Sequence, residues 1–356
     1  MHIAGAECAV RRFPLHDTWD GGVFSHDCVV VTVTADTGDQ GTGFGWTPRV
    51  GGEAVRAVVE HDCAPLLHGR DPAPAPRWED LYAHLHEAGP GGISAMALAA
   101  VDIALWDLRA RSLGLSLVDL IGRRRDSAPC YGSGVNLDRD LDELLEQVRR
   151  FTAAGHTAVK MKVGSADLER DTERVARVRE LLGPGGRLMI DANQRWNLPR
   201  AIDAMRALSR FDPYWIEEPL PADDLHAHAR LRATTTVPFA VGENLRTVRA
   251  FRDALVGGVC DVAQPNVVRV GGITAFLRIA DLAAAFSVPV APHLLPDLSA
   301  QLAQCVPAVA MVEDIEQASF ADLGALERPS GVSVGAAGAT SDTPPGHGLA
   351  FAEPAR

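Results

Sequence analysis

Two lysines in this sequence have the type and spacing for acid–base chemistry. Lys160 and Lys162 stand in the apolar run VKMKVG (159–164), which predicts a short β-strand. Residues two apart on a strand point to the same face, so both ammonium groups share one side. Two like charges lower each other's pKa, and a partly dry site lowers it further, which suits a lysine general base. Taken alone, the pair could also be solvated lysines or salt-bridge partners of carboxylates.

Three carboxylates follow, each at or near the end of a short apolar run. Asp191 ends RLMID, Glu217 ends YWIE, and Glu243 follows FAVG. Oxygen ligands without cysteine or histidine suit a hard cation such as Mg²⁺. Any one of them could cap a helix or meet solvent, but three at matched spacing favour a metal site. In the pair Glu217–Glu218 only one side chain can face the interior, and we assign Glu217.

The elements that would position these residues alternate from about residue 128 onward. Short apolar runs are separated by amphipathic helical patterns, for example over 140–155 and 168–183. The polar residues that end successive runs, from Lys162 to His293, are 23 to 29 residues apart, about one βα unit each. This rhythm indicates a (β/α) barrel with its active site at the C-terminal ends of the strands, although a doubly wound sheet has a similar period.

In a barrel, two further polar residues would also lie at strand ends, in the active site. His293, in VAPHLL, ends the seventh run and would stand opposite the lysines, where a second acid or base belongs. A lone histidine in an apolar setting is otherwise usually a satisfied core residue. Glu313, in MVEDIE, ends the next apolar stretch and could hydrogen-bond a substrate oxygen if protonated, or could be a surface glutamate.

Three regions are predicted along the chain. Residues 1–125 mix strand patterns (28–38 and 41–47) with a long helical pattern (94–114), which indicates an α+β capping domain. Residues 126–325 hold the barrel rhythm. Residues 326–356 are rich in Gly, Pro, Ser and Ala, and we expect this tail to pack back on the capping domain.

Composition excludes several classes of function. The 356 residues carry 34 basic and 46 acidic side chains, a net charge of −12, so nucleic acid and anionic membranes are poor partners. The six cysteines form no CxxC pair and are expected to be free thiols in a reducing compartment. No apolar run is long enough for an export signal or a membrane span. We therefore expect a cytoplasmic protein.

The motifs together resemble the enolase superfamily, and within it the mandelate racemase-like group (the mandelate racemase/muconate lactonizing enzyme family). They are KMK (160–162), DAN (191–193), EEP (217–219), GEN (242–244), RVGG (269–272), PHLL (292–295) and Glu313. The resemblance covers nearly the whole chain. It implies a modified (β/α)7β TIM-like barrel preceded by an α+β capping domain.

The resemblance also implies roles for individual residues. A Mg²⁺ ion would be bound by Asp191, Glu217 and Glu243. The metal and Lys160 would hold a substrate carboxylate, with Asn193 beside them. Lys162 would remove the proton α to that carboxylate and produce an enediolate. Glu313 would donate a hydrogen bond to this intermediate, and His293 would serve the opposite face.

One position departs from the mandelate racemase-like pattern. An aspartate that pairs with the histidine is replaced by Asn266, in QPNVVRVGG, and the related groups with a lysine there are not matched either. Asparagine can orient an imidazole but cannot stabilise an imidazolium as a carboxylate does, so His293 should be a weaker base. Racemisation needs two bases, whereas dehydration needs one base and one acid, so Asn266 argues against a racemase.

We therefore expect a Mg²⁺-dependent lyase that dehydrates an acid sugar to a 2-keto-3-deoxy acid. The expected partners are this small-molecule carboxylate substrate and further copies of the chain in a homo-oligomer. The alternatives are a racemase or epimerase of an α-hydroxy acid and, more remotely, a non-catalytic barrel that binds a sugar acid. The residues that select the substrate are expected in two polar, Gly-rich capping loops, 14–27 and 45–52. Their polarity favours a hydroxylated substrate over an aromatic one.

Overall fold

The computed structural model describes residues 1–19, 22–48 and 50–353. Asp20 and Gly21 of segment 14–27 and Arg49 of segment 45–52 lie outside the described residues. Both segments were expected to select the substrate. The last three residues of the C-terminal segment also lie outside the described residues.

The N-terminal region is a three-stranded antiparallel sheet covered by helices. Its strands, in the order β1-β2-β3, are β1 (Ile3–Trp19), β2 (Val23–Ala35) and β3 (Gln40–Thr47). Its helices are α1 (Gly52–Val58), which continues through a π-helical turn (Val59–Cys63) into α2 (Ala64–Leu67), then α3 (Pro74–Leu85), α4 (Ile93–Ser112) and α5 (Leu117–Ile121).

The segment 14–27 is not the loop that its polar, Gly-rich sequence indicated. Its described residues belong almost entirely to the hairpin of β1 and β2, in which Phe13 pairs with His26 and Trp19 with Val23. Val23 and His26 are buried, although Phe24 is exposed, and the paired backbone extends both strands, so the expectation of a loop was wrong. Likewise Thr47 is the last residue of β3, and only the residues after it lead as a loop towards α1.

Close packing of α4 on β3 depends on glycines. Gly41 and Gly43, two apart in GTGFGWT, lie on the face of β3 that meets α4. A Cβ at Gly43 would lie 2.1 Å from the Ala100 carbonyl oxygen and 2.4 Å from the Ala104 nitrogen. The helix backbone therefore rests directly on the strand, which only glycine allows.

The barrel follows and contains a sheet of seven parallel strands. They are β4 (Cys130–Ser133), β5 (Ala158–Lys162), β6 (Arg187–Asp191), β7 (Trp215–Glu217), β8 (Phe239–Val241), β9 (Val262–Ala263) and β10 (Val312–Ile315), in the order β10-β4-β5-β6-β7-β8-β9. The ring is closed by Val290, which forms parallel bridges with Ala263 of β9 and with Val309. Val290 is thus the remnant of the seventh strand of an eight-stranded barrel.

Seven helices accompany these strands. They are α6 (Leu141–Ala153), α7 (Leu168–Leu182), α8 (Leu198–Leu208), α9 (Leu225–Arg232), α10 (Val248–Val256), α11 (Ile273–Ala285) and α12 (Pro296–Ala303). The predicted modified (β/α)7β barrel with an N-terminal α+β cap is confirmed. Nowhere in the described part of the chain is there a helix with the length and apolarity to cross a membrane.

The C-terminal segment returns to the N-terminal region. After the small pair β11 (Val332–Ser333) and β12 (Thr340–Ser341), Gly346 bridges Ser116. The buried His347 ring accepts a hydrogen bond from the Leu349 N–H at Nδ1, so its proton is on Nε2, which donates to the Thr42 carbonyl at 2.6 Å. These bonds connect the end of the chain to β3.

We predict that Gly43→Ala destabilises the protein while Gly5→Ala does not. The new Cβ at 43 would collide with the α4 backbone, which overpacks the core and should lower the free energy of unfolding by about 1–3 kcal/mol. Gly5 lies in β1, and a Cβ there would have no heavy atom within 4 Å. Urea unfolding of both variants checks this, and equal midpoints would contradict the packing argument.

Candidate active site

Strand register brings the catalytic candidates to one end of the barrel. Lys162, Asp191 and Glu217 end β5, β6 and β7, and they are direct neighbours across the two strand pairs. Glu243 comes just after β8, in the next loop. Parallel strands place their carboxyl ends at the same edge, so these four side chains converge on the barrel axis.

Three of the convergent residues form a carboxylate cluster. Asp191, Glu217 and Glu243 each offer one oxygen, and these oxygens lie within 4.8 Å of one another. All three side chains are buried. The buried donor set is wholly anionic and oxygen-only, which fits Mg²⁺. Glu218 has a left-handed backbone (φ 37°) and turns away, where it accepts a 2.7 Å hydrogen bond from the Asn244 side chain.

Crowded negative charge shapes the protonation of the cluster. Burial and then the charge of Asp191 raise the pKa of Glu217 to about 8, although Lys160 opposes the shift. The Gln264 side chain, at the end of β9, donates a 2.7 Å hydrogen bond to Glu217. A divalent cation would relieve the repulsion that raises this pKa.

The two lysines occupy different layers. Lys160 is only 1% exposed, and its ammonium lies 2.8 Å from oxygens of both Glu217 and Glu313. It does not line the cavity, so it lies beneath the position expected for a substrate carboxylate. Lys162 lines the cavity and forms an ion pair with Asp191. These are the only two lysines in the sequence.

The pKa of each lysine moves opposite to the expected direction. Burial disfavours both ammonium groups, but Glu217 and Glu313 outweigh it at Lys160, and the pKa rises well above its ordinary value. Asp191 does the same for Lys162, whose pKa is also raised. The expectation of lowered pKa values was wrong because each lysine has a carboxylate partner. A cation bound to Asp191 would compete with Lys162 for that charge and oppose the shift.

His293 stands across the cavity from Lys162, held by Asn266 and Glu243. The Asn266 side-chain oxygen accepts hydrogen bonds from the Val268 and Arg269 N–H groups, so its amide nitrogen must face His293. That nitrogen lies 3.2 Å from Nδ1 of the ring. Neutral His293 therefore accepts at Nδ1 and carries its proton on Nε2, which lies 3.0 Å from Glu243.

Glu313 accepts hydrogen bonds rather than donating one. Its oxygens receive bonds from the Ser133 hydroxyl (2.7 Å) and the Leu294 N–H (2.9 Å), and they pair with Lys160. Burial opposes its ionisation, but the charge of Lys160 outweighs burial and lowers the pKa of Glu313 to about 2. This lowered pKa favours an ionised Glu313, so the expectation of a protonated Glu313 was wrong.

A cavity of about 540 Å³ opens above these groups. Asn193, expected beside the substrate carboxylate, lines it, and its N–H donates to Asp191 at 2.8 Å. Arg269 also lines the cavity and donates to the Glu243 carbonyl at 3.0 Å. Sequence reasoning quoted RVGG without giving Arg269 a role and passed over Gln264. Gln264 could have been found because it is two residues before Asn266, and residues two apart on an extended chain face the same side.

The cavity wall contributed by the cap differs from the expectation of polar loops. Trp19 of β1 and Trp46 of β3 line it, together with Val23 and Pro48. The described parts of segments 14–27 and 45–52 thus present apolar side chains to the cavity. The described residues of these segments that line the cavity therefore do not supply the polar contacts on which the expectation of a hydroxylated substrate was based.

Family models match both regions of the chain. A model described as "Mandelate racemase / muconate lactonizing enzyme, N-terminal domain" matches residues 6–122, and one described as "Enolase C-terminal domain-like" matches residues 143–355. Together they cover most of the sequence.

Individual relatives agree with the family models. The chain is 37% identical to a 3,6-anhydro-alpha-L-galactonate cycloisomerase of Streptomyces coelicolor, over 82% of this chain and 81% of that protein. It is 36% identical to the L-talarate/galactarate dehydratase of Salmonella typhimurium, over 81% and 73%. A crystal structure of a Streptomyces coelicolor racemase with bound magnesium superposes with a TM-score of 0.92 at 34% identity, covering 98% of this chain and 97% of that one.

We predict that Mg²⁺ raises the unfolding temperature of the protein and that Asp191→Asn removes this effect. A ligand that binds only the folded state stabilises by about 2.7 kcal/mol at a hundred times its Kd. Protons compete with the metal at Glu217, whose pKa is raised to about 8, so the shift should grow as pH rises from about 6 to 8.

Glu316→Gln is a suitable control for the metal experiment, because Glu316 pairs with Arg150 outside the cluster. Thermal scans with and without Mg²⁺ should show the wild-type shift in this variant. An Asp191→Asn protein that still responds fully to Mg²⁺ would refute the assignment of the cluster.

Proposed function

The chain belongs to the mandelate racemase/muconate lactonizing enzyme family of the enolase superfamily, and we propose that it dehydrates an acid sugar to a 2-keto-3-deoxy acid. The observation that carries the proposal is the placement of Lys162 and His293 around one carboxylate cluster in one cavity. When bound to Asp191, Glu217 and Glu243, Mg²⁺ would supply Lewis-acid stabilisation of negative charge that develops on the substrate carboxylate.

Lys162 is the proposed general base. It is the one lysine that reaches the cavity, and Asp191 holds its ammonium beside the cluster. To act, it must lose a proton and turn from Asp191 to the α-carbon. Lys160 is proposed to hold Glu217 and Glu313 in place from below, and Asn193 lies at the rim where the substrate carboxylate would enter.

His293 is proposed to assist departure of the β-hydroxyl. Its Nε2 carries the proton and lies 3.0 Å from Glu243, so to act the ring must turn this N–H from Glu243 to the leaving oxygen and donate a hydrogen bond there. The hydroxide that leaves and the α-proton that Lys162 has taken and returns to solvent together make up the lost water. With its proton on Nε2 the ring cannot accept a proton from the opposite face of the substrate. Asn266 keeps Nδ1 as the acceptor, which supports elimination over two-base racemisation.

Relatives support β-elimination but leave a second candidate. The Salmonella typhimurium relative is an L-talarate/galactarate dehydratase, and a Polaromonas dehydratase structure holds Mg and L-glucarate. The Streptomyces coelicolor structure is that of a racemase. An epimerase or racemase of an α-hydroxy acid is therefore the alternative, and it requires His293 to act as a base.

We predict that Lys162→Ala lowers both α-hydrogen exchange in D₂O and formation of the 2-keto-3-deoxy acid by about 10²–10⁴-fold, the usual contribution of a general base. A panel of aldonic and aldaric acids, followed by NMR and a keto-acid assay, provides the measurement. The Mg²⁺-induced thermal shift should persist, which separates loss of the base from loss of the fold.

Chemical labelling gives an independent check of the same assignment. Of the two lysines only Lys162 lines the cavity, so an amine-selective acylating reagent small enough to enter it should modify Lys162 and leave Lys160 unmodified. Inactivation should follow modification of Lys162. Full exchange in Lys162→Ala would remove it as the base, and a wild-type protein without exchange on any acid would favour the non-catalytic barrel.

We predict that Asn266→Asp gives the enzyme epimerase activity that the wild type lacks. A carboxylate beside Nδ1 would stabilise the imidazolium and make His293 a stronger base. Deuterium should then enter from both faces, so the recovered acid should contain the inverted epimer, measured by chiral chromatography. Inversion already present in the wild type would instead favour the racemase alternative.

A further inference from the structure

An apolar wall closes the cavity on the side of the cap. Trp19, Val23, Trp46 and Leu294 form it, and Pro48 and Val135 line the same cavity. Val23 is paired with Trp19 across the hairpin, and both tryptophans also share a second, smaller cavity with Leu294. These side chains are therefore neighbours. Their only polar groups are the two indole N–H groups.

A buried histidine holds the two indoles of this wall. The His26 ring centroid lies 4.7 Å from the ring of Trp19 and 4.7 Å from that of Trp46, edge to face in both cases. His26 is 3% exposed, and its Nε2 has no hydrogen-bond partner in the part of the chain that the structure describes. Burial lowers its pKa to about 4, against the opposing charge of Asp27, so the ring is neutral at physiological pH. It acts as an aromatic spacer.

Charged and polar groups line the same cavity as the wall, among them Gln194 and Arg195. Lys162, Glu243 and His293 lie at the carboxyl ends of the barrel strands and line this cavity. The reacting carboxylate of a substrate must lie beside them. The end of the substrate remote from that carboxylate then extends towards the cap. A carboxylate or hydroxyl placed against the apolar faces of this wall would lose its water, and the described side chains of the wall offer it no partner other than the two indole N–H groups. An oxygen that reaches neither N–H loses about 1–3 kcal/mol or more.

We propose that the wall of Trp19, Val23, Trp46 and Leu294 selects acid sugars whose remote end is uncharged and poor in hydroxyl groups. This inference rests on the proposed function, because it takes the reacting carboxylate to lie at the metal cluster. Monocarboxylic aldonates fit the wall, 6-deoxy aldonates fit best since their terminal methyl contacts the indoles, and aldarates with a second carboxylate fit worst. His26 is a positioning residue that keeps both indoles in the wall.

The test compares three acids of the same configuration: an aldonate, its 6-deoxy analogue and the corresponding aldarate. Several configurations are tried, and kcat/KM is measured for 2-keto-3-deoxy acid formation. We expect the 6-deoxy acid to exceed the aldarate by at least about tenfold, the lower range for a group matched or mismatched in an apolar pocket. Trp19→Ala should collapse this ratio mainly through a higher KM for the 6-deoxy acid, with kcat less affected.

Matched variants separate the wall from general damage. Phe24→Ala removes a 70% exposed ring on the same hairpin, outside the cavity lining, and should leave the ratio unchanged. Trp46 is only 4% exposed, so Trp46→Phe is used there to preserve the fold, and a partial loss of preference is expected. His26→Ala should lower the ratio, whereas His26→Phe should retain it because an aromatic ring still separates the indoles.

The same acids incubated in D₂O distinguish the two levels of the proposal. Exchange of the α-hydrogen with a wild-type preference for the aldarate would overturn the role of the wall and leave the dehydratase proposal standing. A ratio unaltered by Trp19→Ala, with the variant folded by its thermal transition, would also overturn it. Absence of α-exchange with every acid would overturn the dehydratase proposal and this inference together.

Discussion

Compensation of charge inside the barrel is the constraint on which the rest of the site depends. Four carboxylates and two ammonium groups lie buried at the strand ends: Asp191, Glu217, Glu243, Glu313, Lys160 and Lys162. An isolated buried charge is very costly, so each group must have a partner at close range. Negative charge remains in excess, and its physical expression is the raised pKa of Glu217. A hard cation that binds here would neutralise this excess negative charge, which favours its binding.

The same constraint divides two similar lysines. Two residues apart on β5, they share a face, yet Lys160 is enclosed by Glu217 and Glu313 while Lys162 reaches the cavity. Lys160 does not line the cavity, and its ammonium neutralises two carboxylates that are buried beside it. The partner of Lys162 is Asp191, which is also a ligand of the proposed cation, so this ion pair can be exchanged when the cation binds. A difference of one layer thus separates Lys160 from the proposed base.

Sequence reasoning reached the barrel and its polar strand ends because both follow from short-range rules. Alternation along β5 and the βα period fix which residues face the axis, and parallel register then brings Lys162, Asp191 and Glu217 side by side. The direction of the lysine pKa shifts did not follow, since it depends on carboxylates 29 and more residues away whose distances only the fold sets. The state of Glu313 was missed for the same reason.

The cap was harder to predict because composition there misleads. The segment 14–27 is polar and contains glycines, yet its few large side chains determine its structure: Trp19 and His26 pack with Trp46 of β3 and draw the chain into a hairpin. Nothing in the local sequence shows that three aromatic rings from three strands meet. A weaker His293 was expected from Asn266 in the sequence, but the direction of the amide was not, since backbone donors at Val268 and Arg269 fix which way it points.

Those two backbone donors connect fold to reaction type. They come from the turn that leads towards α11, and they hold the Asn266 oxygen so that only its nitrogen can meet His293. An aspartate in the same position could accept from the same donors with one oxygen and from the imidazole with the other. One atom, nitrogen in place of oxygen, therefore determines whether the ring accepts or donates at Nδ1. Through the ring it determines whether the cavity face of His293 holds a proton or can take one.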